Sequence, residues 1–176
     1  MKINSEKNTF SKLFDVSRET LKKLIQYELK IISFNEKSNI IGKSTIPHIW
    51  KRHFADSAKI LSFITTIVKK NENRKPTICD VGSGAGFPGL VILILNQEKK
   101  VNFYMTLVES NKKKCSFLKD LIKCFKIKAE VINDRAENLN EKFDIIIGRA
   151  VAPLPRFLVF CRNIKKDETI YILPKG

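Results

Sequence analysis

The sequence is poor in the residues that most often bind metal ions. It contains two histidines and four cysteines, and the cysteines are scattered, with no Cys-x-x-Cys pair among them. Structural zinc sites usually draw their ligands from closely spaced cysteine and histidine pairs. We therefore expect no metal site, and we expect the thiols to be reduced and mostly buried.

Long apolar runs are also lacking. No stretch approaches the roughly 20 apolar residues with which a helix spans a bilayer. The chain begins Met-Lys-Ile-Asn-Ser-Glu-Lys, which is polar and has no apolar segment of the kind found in signal peptides. The sequence predicts a cytoplasmic protein with no membrane partner.

Acidic residues are few relative to basic ones. The chain has 18 Asp and Glu against 33 Lys and Arg, which gives a net charge of +15. Such an excess suits a polyanionic partner, with nucleic acid as the first candidate. Lysine, asparagine and isoleucine are all abundant, so a compositional drift of the genome is a competing explanation of the charge.

The length of 176 residues fits one domain, or one domain with an appendage. Apolar residues recur at helical spacing from Phe10 to Lys70. The charged stretch Lys69–Pro76 is predicted to be a linker, so we divide the chain into an N-terminal helical region, 1–72, and a core, 73–176. The predicted elements of the first part are a helix over Glu19–Phe34 capped by Ser17, a polar break at Asn35–Asn39 and a helix beginning at Ile46-Pro47.

The second part alternates apolar strands with helices. Such alternation predicts an α/β fold with a doubly wound, mainly parallel Rossmann-like sheet. In that architecture a cofactor binds outside the carboxyl ends of the strands, at the switch point beside the first strand. The predicted strands are Ile78–Val81, Phe103–Glu109, Lys128–Asn133, Phe143–Gly148 and Thr169–Leu173, and the predicted helices are Gly86–Asn96, Asn111–Phe125 and Leu154–Ile164.

Glycine is scarce, yet four of the seven glycines lie in one turn between the first strand and its helix, at Gly82, Gly84, Gly86 and Gly89. Glycine accepts positive φ and lets a ligand approach where a Cβ would clash. A glycine turn from strand to helix also directs free N–H groups into one crevice. The concentration therefore predicts a site for a nucleotide-type cofactor.

The turn can be aligned in two frames. Gly84-x-Gly86-x-x-Gly89 matches the dinucleotide fingerprint, but its first glycine should follow the strand at once, and Asp80-Val81-Gly82-Ser83 intervenes. The frame Asp80-x-Gly82-x-Gly84-x-Gly86 resembles the S-adenosylmethionine motif of class I methyltransferases. A dehydrogenase also normally has a second catalytic domain. The second frame is favoured, with S-adenosylmethionine as the expected cofactor.

Three residues near this turn have two interpretations each. Asp80 either meets the positively charged end of the cofactor or is a turn residue bonded to the glycine loop. Glu109 ends the second strand, where a carboxylate binds ribose hydroxyls or stabilises the start of the next helix. Phe87 either covers the cofactor or belongs to an ordinary helix face.

The segment after the fourth strand bears on the acceptor of the methyl group. It lacks the Asp/Asn-Pro-Pro-aromatic tetrad used for amino groups and the Pro-Cys pair used for pyrimidine C5, and it offers Arg149 instead. Guanine N7 carries an in-plane lone pair, so its methylation needs alignment and no general base. Arg149 is suited to a guanine O6 edge, a phosphate or the cofactor carboxylate, with a surface ion pair as the alternative.

Several stretches in order resemble one family, the bacterial 16S rRNA guanine-N7 methyltransferases of the glucose-inhibited division protein B type. They are His53-Phe54-Ala55-Asp56-Ser57, the glycine turn with Phe-Pro-Gly, Arg135-Ala136-Glu137, Gly148-Arg149-Ala150 and Pro174-Lys175-Gly176. The resemblance implies methylation of N7 of a guanosine in the decoding-region loop of 16S rRNA, on naked rRNA or on the small ribosomal subunit.

The resemblance also assigns residues. It places Gly82 and Phe87 at the S-adenosylmethionine site, with Ala136 and Glu137 beside the adenine and Arg149 completing the pocket. We expect Arg149 to be the catalytic residue. The roles of His53 and Asp56 do not follow from the resemblance.

Family members usually continue past the Lys-Gly pair into antiparallel strands, which we expect to be absent here, leaving the fifth strand as a sheet edge with apolar residues Ile170, Tyr171 and Ile172. We expect a monomer. The rival functions are a nicotinamide oxidoreductase and a non-catalytic RNA- or ribosome-binding protein.

Overall fold

The structure is a computed structural model, and it describes residues 2–70 and 74–174. The first part of the chain is helical, and the second part alternates strands and helices, in agreement with the sequence. The helices are α1 Lys2–Leu13, α2 Arg18–Lys37, α3 Asp56–Lys70, α4 Gly89–Lys99, α5 Lys112–Phe125 and α6 Leu154–Phe160. The strands are β1 Thr77–Val81, β2 Tyr104–Val108, β3 Glu130–Ile132, β4 Phe143–Gly148 and β5 Lys165–Ile172.

The five strands form one sheet in the order β3-β2-β1-β4-β5, and every neighbouring pair is parallel. The order reverses between β1 and β4, which is the switch point where doubly wound sheets bind ligands. The prediction of a doubly wound parallel sheet is confirmed. β5 lies at the edge, and its Ile170 side chain is 43% exposed.

Side chains of successive strand residues pack on opposite faces of the sheet. Ile78, Ile145 and Ile147 face the larger hydrophobic cluster, which contains α4, α5 and the N-terminal helices. Cys79 and Ile146 face the smaller cluster, which contains α6. This alternation of period two explains why strands covered on both faces read as continuous apolar runs.

Helix α4 is buried on all sides. Each residue of its central run, Leu90–Leu95, is buried, because the sheet covers one side and α2 and α3 cover the other. A helix that is apolar all round is stable only in such a position. Fully burying a leucine or isoleucine contributes about 1.5–3 kcal/mol, so the contact between the N-terminal helices and α4 is a major part of the core.

Two predicted boundaries of the helical part are wrong. The α2 helix begins as predicted, with the Ser17 hydroxyl accepting from Thr20 N–H, but it continues through the predicted break and ends at Lys37. Asn35 is buried, and its Oδ1 accepts the N–H groups of Ile40 and Ile41, so this polar residue fixes the loop that follows. Where one helix was predicted from Ile46, the chain instead forms a 3₁₀ helix, Lys43–His48, a π-helix, Trp50–Ala55, and then α3.

Several boundaries in the second part also differ from those predicted. α4 begins at Gly89 rather than Gly86, since the three residues before it belong to the turn. α6 ends at Phe160, and β5 starts at Lys165 rather than Thr169, with a register irregularity against β4. The predicted linker at Lys69–Pro76 begins too early, since Lys69 and Lys70 belong to α3. The division at 72/73 falls on residues 71–73, which lie outside the described residues, as do residues 175–176. The division therefore stays a prediction.

No helix within 2–70 or 74–174 is long and apolar enough to cross a membrane. Across these same described ranges, histidine, cysteine and carboxylate side chains form no group of three or more that could hold a metal ion. All four cysteines are free, and Cys79, Cys115 and Cys161 are buried.

Candidate cofactor and substrate site

The glycine turn lies at the carboxyl end of β1 and is built from left-handed backbone. Gly82, Gly84 and Gly86 have φ of 68°, 58° and 103°, which other residues rarely adopt. A Cβ at Gly82 would lie 2.8 Å from Val151 Cγ2, and a Cβ at Gly86 would collide with the Tyr27 hydroxyl. The turn thus needs glycine both for its backbone and for the close approach of two other segments.

Two cavities meet at this turn. The larger cavity of the two has a volume of about 400 Å³ and is lined by Gly82, Gly84, Phe87 and Arg149 together with residues of the N-terminal region. The second has a volume of about 260 Å³. Its lining includes Val81, Gly82, Ser110, Ala136, Glu137 and Val151. Gly82 borders both cavities, so the two lie on either side of the glycine turn. A third cavity, away from the turn, has a volume of about 570 Å³. It lies between α3 and the end of α4 and contains none of the predicted site residues.

Asp80 lies beneath the turn and is only 1% exposed. Its Oδ2 accepts the Gly89 N–H at 3.0 Å, while its Oδ1 is buried and has no hydrogen-bond partner among the described residues. Burial raises the pKa of Asp80 to about 7, against the lowering effects of the Gly89 hydrogen bond and the Arg149 charge. The turn-residue interpretation of Asp80 accounts for one oxygen, and the other is buried without a partner among the described residues.

Glu109 joins the glycine turn to the start of α5. Its Oε2 accepts the Gly84 N–H at 2.9 Å, and its Oε1 accepts the Asn111 N–H at 2.8 Å. Asn111 itself caps α5 by accepting the Lys113 and Lys114 N–H groups. Glu109 is 7% exposed and, like Asp80 and Gly86, lines neither cavity.

Phe87 is part of an aromatic cluster supplied by both parts of the chain. Its ring stacks on Tyr27, with ring centres 5.5 Å apart, and on His53, with centres 4.6 Å apart. The Tyr27 hydroxyl, on a fully buried side chain, donates to the Ala85 carbonyl of the glycine turn at 2.5 Å. The Phe87–Pro88 peptide bond is cis. Phe87 therefore forms a wall of the larger cavity that the N-terminal region supports from behind.

Arg149 follows β4 and reaches across the larger cavity to the N-terminal region. Its Nη1 donates to the Arg52 carbonyl at 3.1 Å, its Nη2 lies 2.6 Å from His53 Nδ1, and its Cζ lies 5.3 Å from the Phe87 ring centre. Burial lowers the pKa of the guanidinium, and the Asp80 and Asp56 charges raise it. The next residue, Ala150, has a φ of 55°, which is strained for a residue with a Cβ.

The structure thus brings Gly82, Gly84, Phe87 and Arg149 to one cavity and Ala136 and Glu137 to its neighbour. Tyr27 was not predicted as a site residue, and His53 was predicted without a role. Tyr27 has no sequence signal apart from its helical spacing. His53 had one, since it stands in a stretch quoted for the family resemblance.

The described residues fit S-adenosylmethionine. A Cβ at Gly82, which borders both cavities, would collide with Val151, and the unpaired Asp80 oxygen suits a cationic group. This donor set and cradle match the expected cofactor, a nucleoside joined to a charged amino acid chain.

Comparison with known proteins gives a concordant result. The family model GidB, described as rRNA small subunit methyltransferase G, matches residues 20–176. The chain is 37% identical over 164 residues to "Ribosomal RNA small subunit methyltransferase G" of Bartonella tribocorum, covering 92% of this chain and 73% of that protein. The protein of the same name from Parvibaculum lavamentivorans is 34% identical over 174 residues, covering 97% and 74%.

Solved structures share the fold at low identity. A putative S-adenosyl-L-methionine-dependent methyltransferase from Methanococcus maripaludis matches with a TM-score of 0.51 and 16% identity, over 76% of this chain and 62% of that one. The Thermus thermophilus 16S rRNA N2 G1207 methyltransferase, in complex with AdoMet and guanosine, matches with a TM-score of 0.51 and 16% identity. That match covers 66% of this chain and 33% of the other, so the chain spans under two thirds of either structure's length.

Proposed function

Since the chain belongs to the rRNA small subunit methyltransferase G family, we propose that it transfers a methyl group from S-adenosylmethionine to N7 of a guanosine in the decoding-region loop of 16S rRNA. The observation that carries the proposal is the meeting of the glycine turn, Phe87 and Arg149 in one cavity at the switch point of the sheet. The family match favours this function over a nicotinamide oxidoreductase.

Four segments are proposed to hold the cofactor. Ala136 and Glu137 line the smaller cavity and are assigned to the adenine, and Gly82 borders both cavities. Asp80, with its unpaired Oδ1, is assigned to the positively charged end. Glu109 is assigned to the ribose, and its two main-chain hydrogen bonds keep the carboxylate fixed between the glycine turn and the start of α5.

Methylation of guanine N7 requires alignment of the base with the methyl group more than it requires proton transfer. S-adenosylmethionine, when bound, supplies a methyl group on a positively charged sulfur. Guanine N7 attacks with a lone pair that carries no proton, so the residues of this chain contribute by holding the base in line. Phe87 and His53 line the larger cavity, and their stacked rings are proposed to restrict the orientation of a base there.

Arg149 is proposed as the catalytic residue of this cavity. Its guanidinium is half-buried and has donors for an oxygen acceptor, whether guanine O6, a phosphate or the cofactor carboxylate. A group that is desolvated in this way binds an oxygen more strongly than an exposed arginine does.

The test is methyl transfer from labelled S-adenosylmethionine to small ribosomal subunits that lack the modification, followed by cleavage at N7-methylguanosine. A single labelled site in the decoding-region loop is expected. Arg149→Ala should lower turnover at least about tenfold, the loss of one charged hydrogen bond. Arg162→Ala, at an exposed arginine of the α6–β5 connection, is the matched control.

Two results would contradict the proposal. Binding of rRNA without methyl transfer would favour the non-catalytic RNA-binding rival, and unchanged turnover in Arg149→Ala would remove the role of Arg149. Naked rRNA and assembled subunits are assayed side by side, because the partner is proposed only as 16S rRNA in one of these forms. A cytoplasmic monomer remains part of the proposal, to be checked by fractionation and by sedimentation.

A further inference from the structure

The side chain of Arg149 is held by two consecutive residues of the N-terminal region. Nη1 donates to the Arg52 main-chain oxygen, and Nη2 contacts Nδ1 of His53. Both residues belong to the π-helix Trp50–Ala55, an irregular helical segment of the kind that often occurs at functional sites. A residue after β4 is therefore fixed by a segment nearly one hundred positions earlier in the chain.

The contact between Arg149 and His53 determines the tautomer of the His53 imidazole. A guanidinium has only donors, so Nδ1 of His53 must be the acceptor and the ring proton must lie on Nε2. Burial, and then the Arg149 charge, lower the pKa of His53 to about 4, while Asp56 raises it and Arg52 lowers it. His53 is thus a neutral acceptor at physiological pH. Its Nε2 is buried and has no hydrogen-bond partner among the described residues.

The plane of the ring is fixed as well. His53 stacks on Phe87 at an interplanar angle of 23°, and Phe87 stacks on Tyr27 at 27°. Tyr27 in turn is bonded to the Ala85 carbonyl of the glycine turn. Nδ1 of His53, which accepts from Arg149, is consequently held at a fixed position relative to the glycine turn.

We propose that His53 is the positioning residue of Arg149, by which the N-terminal helical region orients the guanidinium in the larger cavity. The inference deepens the proposed function and rests on it for the role of Arg149, although the His53–Arg149 contact itself is independent of catalysis. Stacking alone would make His53 replaceable by any flat ring. The proposed role requires an acceptor at the Nδ1 position.

Two substitutions of His53 separate the effect of its hydrogen-bond acceptor from the effect of its flat ring. His53→Phe keeps a flat ring on Phe87 and removes the acceptor, and kcat should fall roughly ten- to a hundredfold, as for a hydrogen bond to a charged group. His53→Asn places an amide oxygen near the position of Nδ1, and its kcat should stay within roughly fivefold of the wild type. His48→Gln, at an exposed histidine, is the control and should change nothing.

A double-mutant cycle, in which each His53 substitution is combined with Arg149→Ala, measures the coupling between the two side chains. With Arg149 absent, His53→Phe and His53→Asn should have equal activity. If His53→Phe lowers kcat by the same factor with and without Arg149, or if His53→Asn is as impaired as His53→Phe, the positioning role is overturned.

A nuclear magnetic resonance measurement decides the contact without any turnover. The chain has only two histidines, so long-range ¹H–¹⁵N spectra of the wild type and His48→Gln assign the His53 ring. We expect an unprotonated Nδ1 and a protonated Nε2 at pH 7, and a higher His53 pKa in Arg149→Ala. A proton on Nδ1 would overturn the proposal. Should the wild type transfer no methyl group, the spectra still decide whether His53 holds Arg149, and only the proposed function fails.

Discussion

Replacing Asp80 with asparagine should stabilise the cofactor-free protein at neutral and alkaline pH. Asp80 is buried, one of its oxygens is unpaired, and burial raises its pKa from 3.8 to about 7. The folded protein therefore binds a proton on Asp80 more tightly than the unfolded chain does. Its favourable contribution is complete below about pH 3.8 and is lost as the pH rises to about 7.

The magnitude follows from the two pKa values. The separation of about 3 pH units corresponds to about 4 kcal/mol, at about 1.36 kcal/mol per unit. Between pH 5 and pH 8 the wild type should lose about 3 kcal/mol of unfolding free energy relative to Asp80→Asn. Asparagine keeps an oxygen for the Gly89 N–H and replaces the unpaired carboxylate oxygen with an uncharged amide.

The assay is urea denaturation of both proteins without cofactor at pH 5 and pH 8. His53 acts in the opposite direction, since its lowered pKa makes stability fall as the pH drops below about 6.5. Both proteins contain His53, so its effect cancels in the difference between them. Asp120→Asn removes an exposed carboxylate of α5 and is the matched control. A difference between Asp80→Asn and the wild type that is the same at pH 5 and pH 8 would refute the reasoning.

Three further predictions concern the turn and the charge. Tyr27→Phe leaves the buried Ala85 carbonyl without its donor and should cost about 1–3 kcal/mol of unfolding free energy by urea denaturation. Gly82→Ala introduces a Cβ against Val151 at positive φ, so calorimetry should show weaker S-adenosylmethionine binding. Ser116→Ala, at an exposed position of α5, should bind normally. Affinity for rRNA should fall roughly a thousandfold or more between 50 and 200 mM salt, and a flat response would show that the +15 charge is compositional.

The sheet was predictable because buried parallel strands have a simple local signature. β4 has the bounds that its apolar run predicts, and β1 begins one residue earlier than predicted, since β-branched side chains between polar ends mark such strands. The end of α2 was not predictable. Asn35 reads as a loop residue, yet it is buried because its side chain bonds the two main-chain N–H groups of the next loop.

The candidate site was predictable where its residues are adjacent in sequence. The glycine turn is contiguous, so its positive φ values follow from glycine spacing alone. The Tyr27 contact with Ala85 and the His53 contact with Arg149 join positions 58 and 96 residues apart. No periodicity encodes such pairs, because they arise only when the N-terminal helices dock on the sheet.

The burial of α4 on all sides has a consequence for anyone who would trim the protein to its cofactor-binding half. The run Leu90–Leu95 has no polar side to present to water, since α2 and α3 cover what the sheet does not. A fragment beginning at β1 would carry that uncovered surface as an apolar patch, and such patches drive association. The N-terminal helices therefore shield the apolar surface of α4 from water, and a shortened form of this chain that avoids association has to include them.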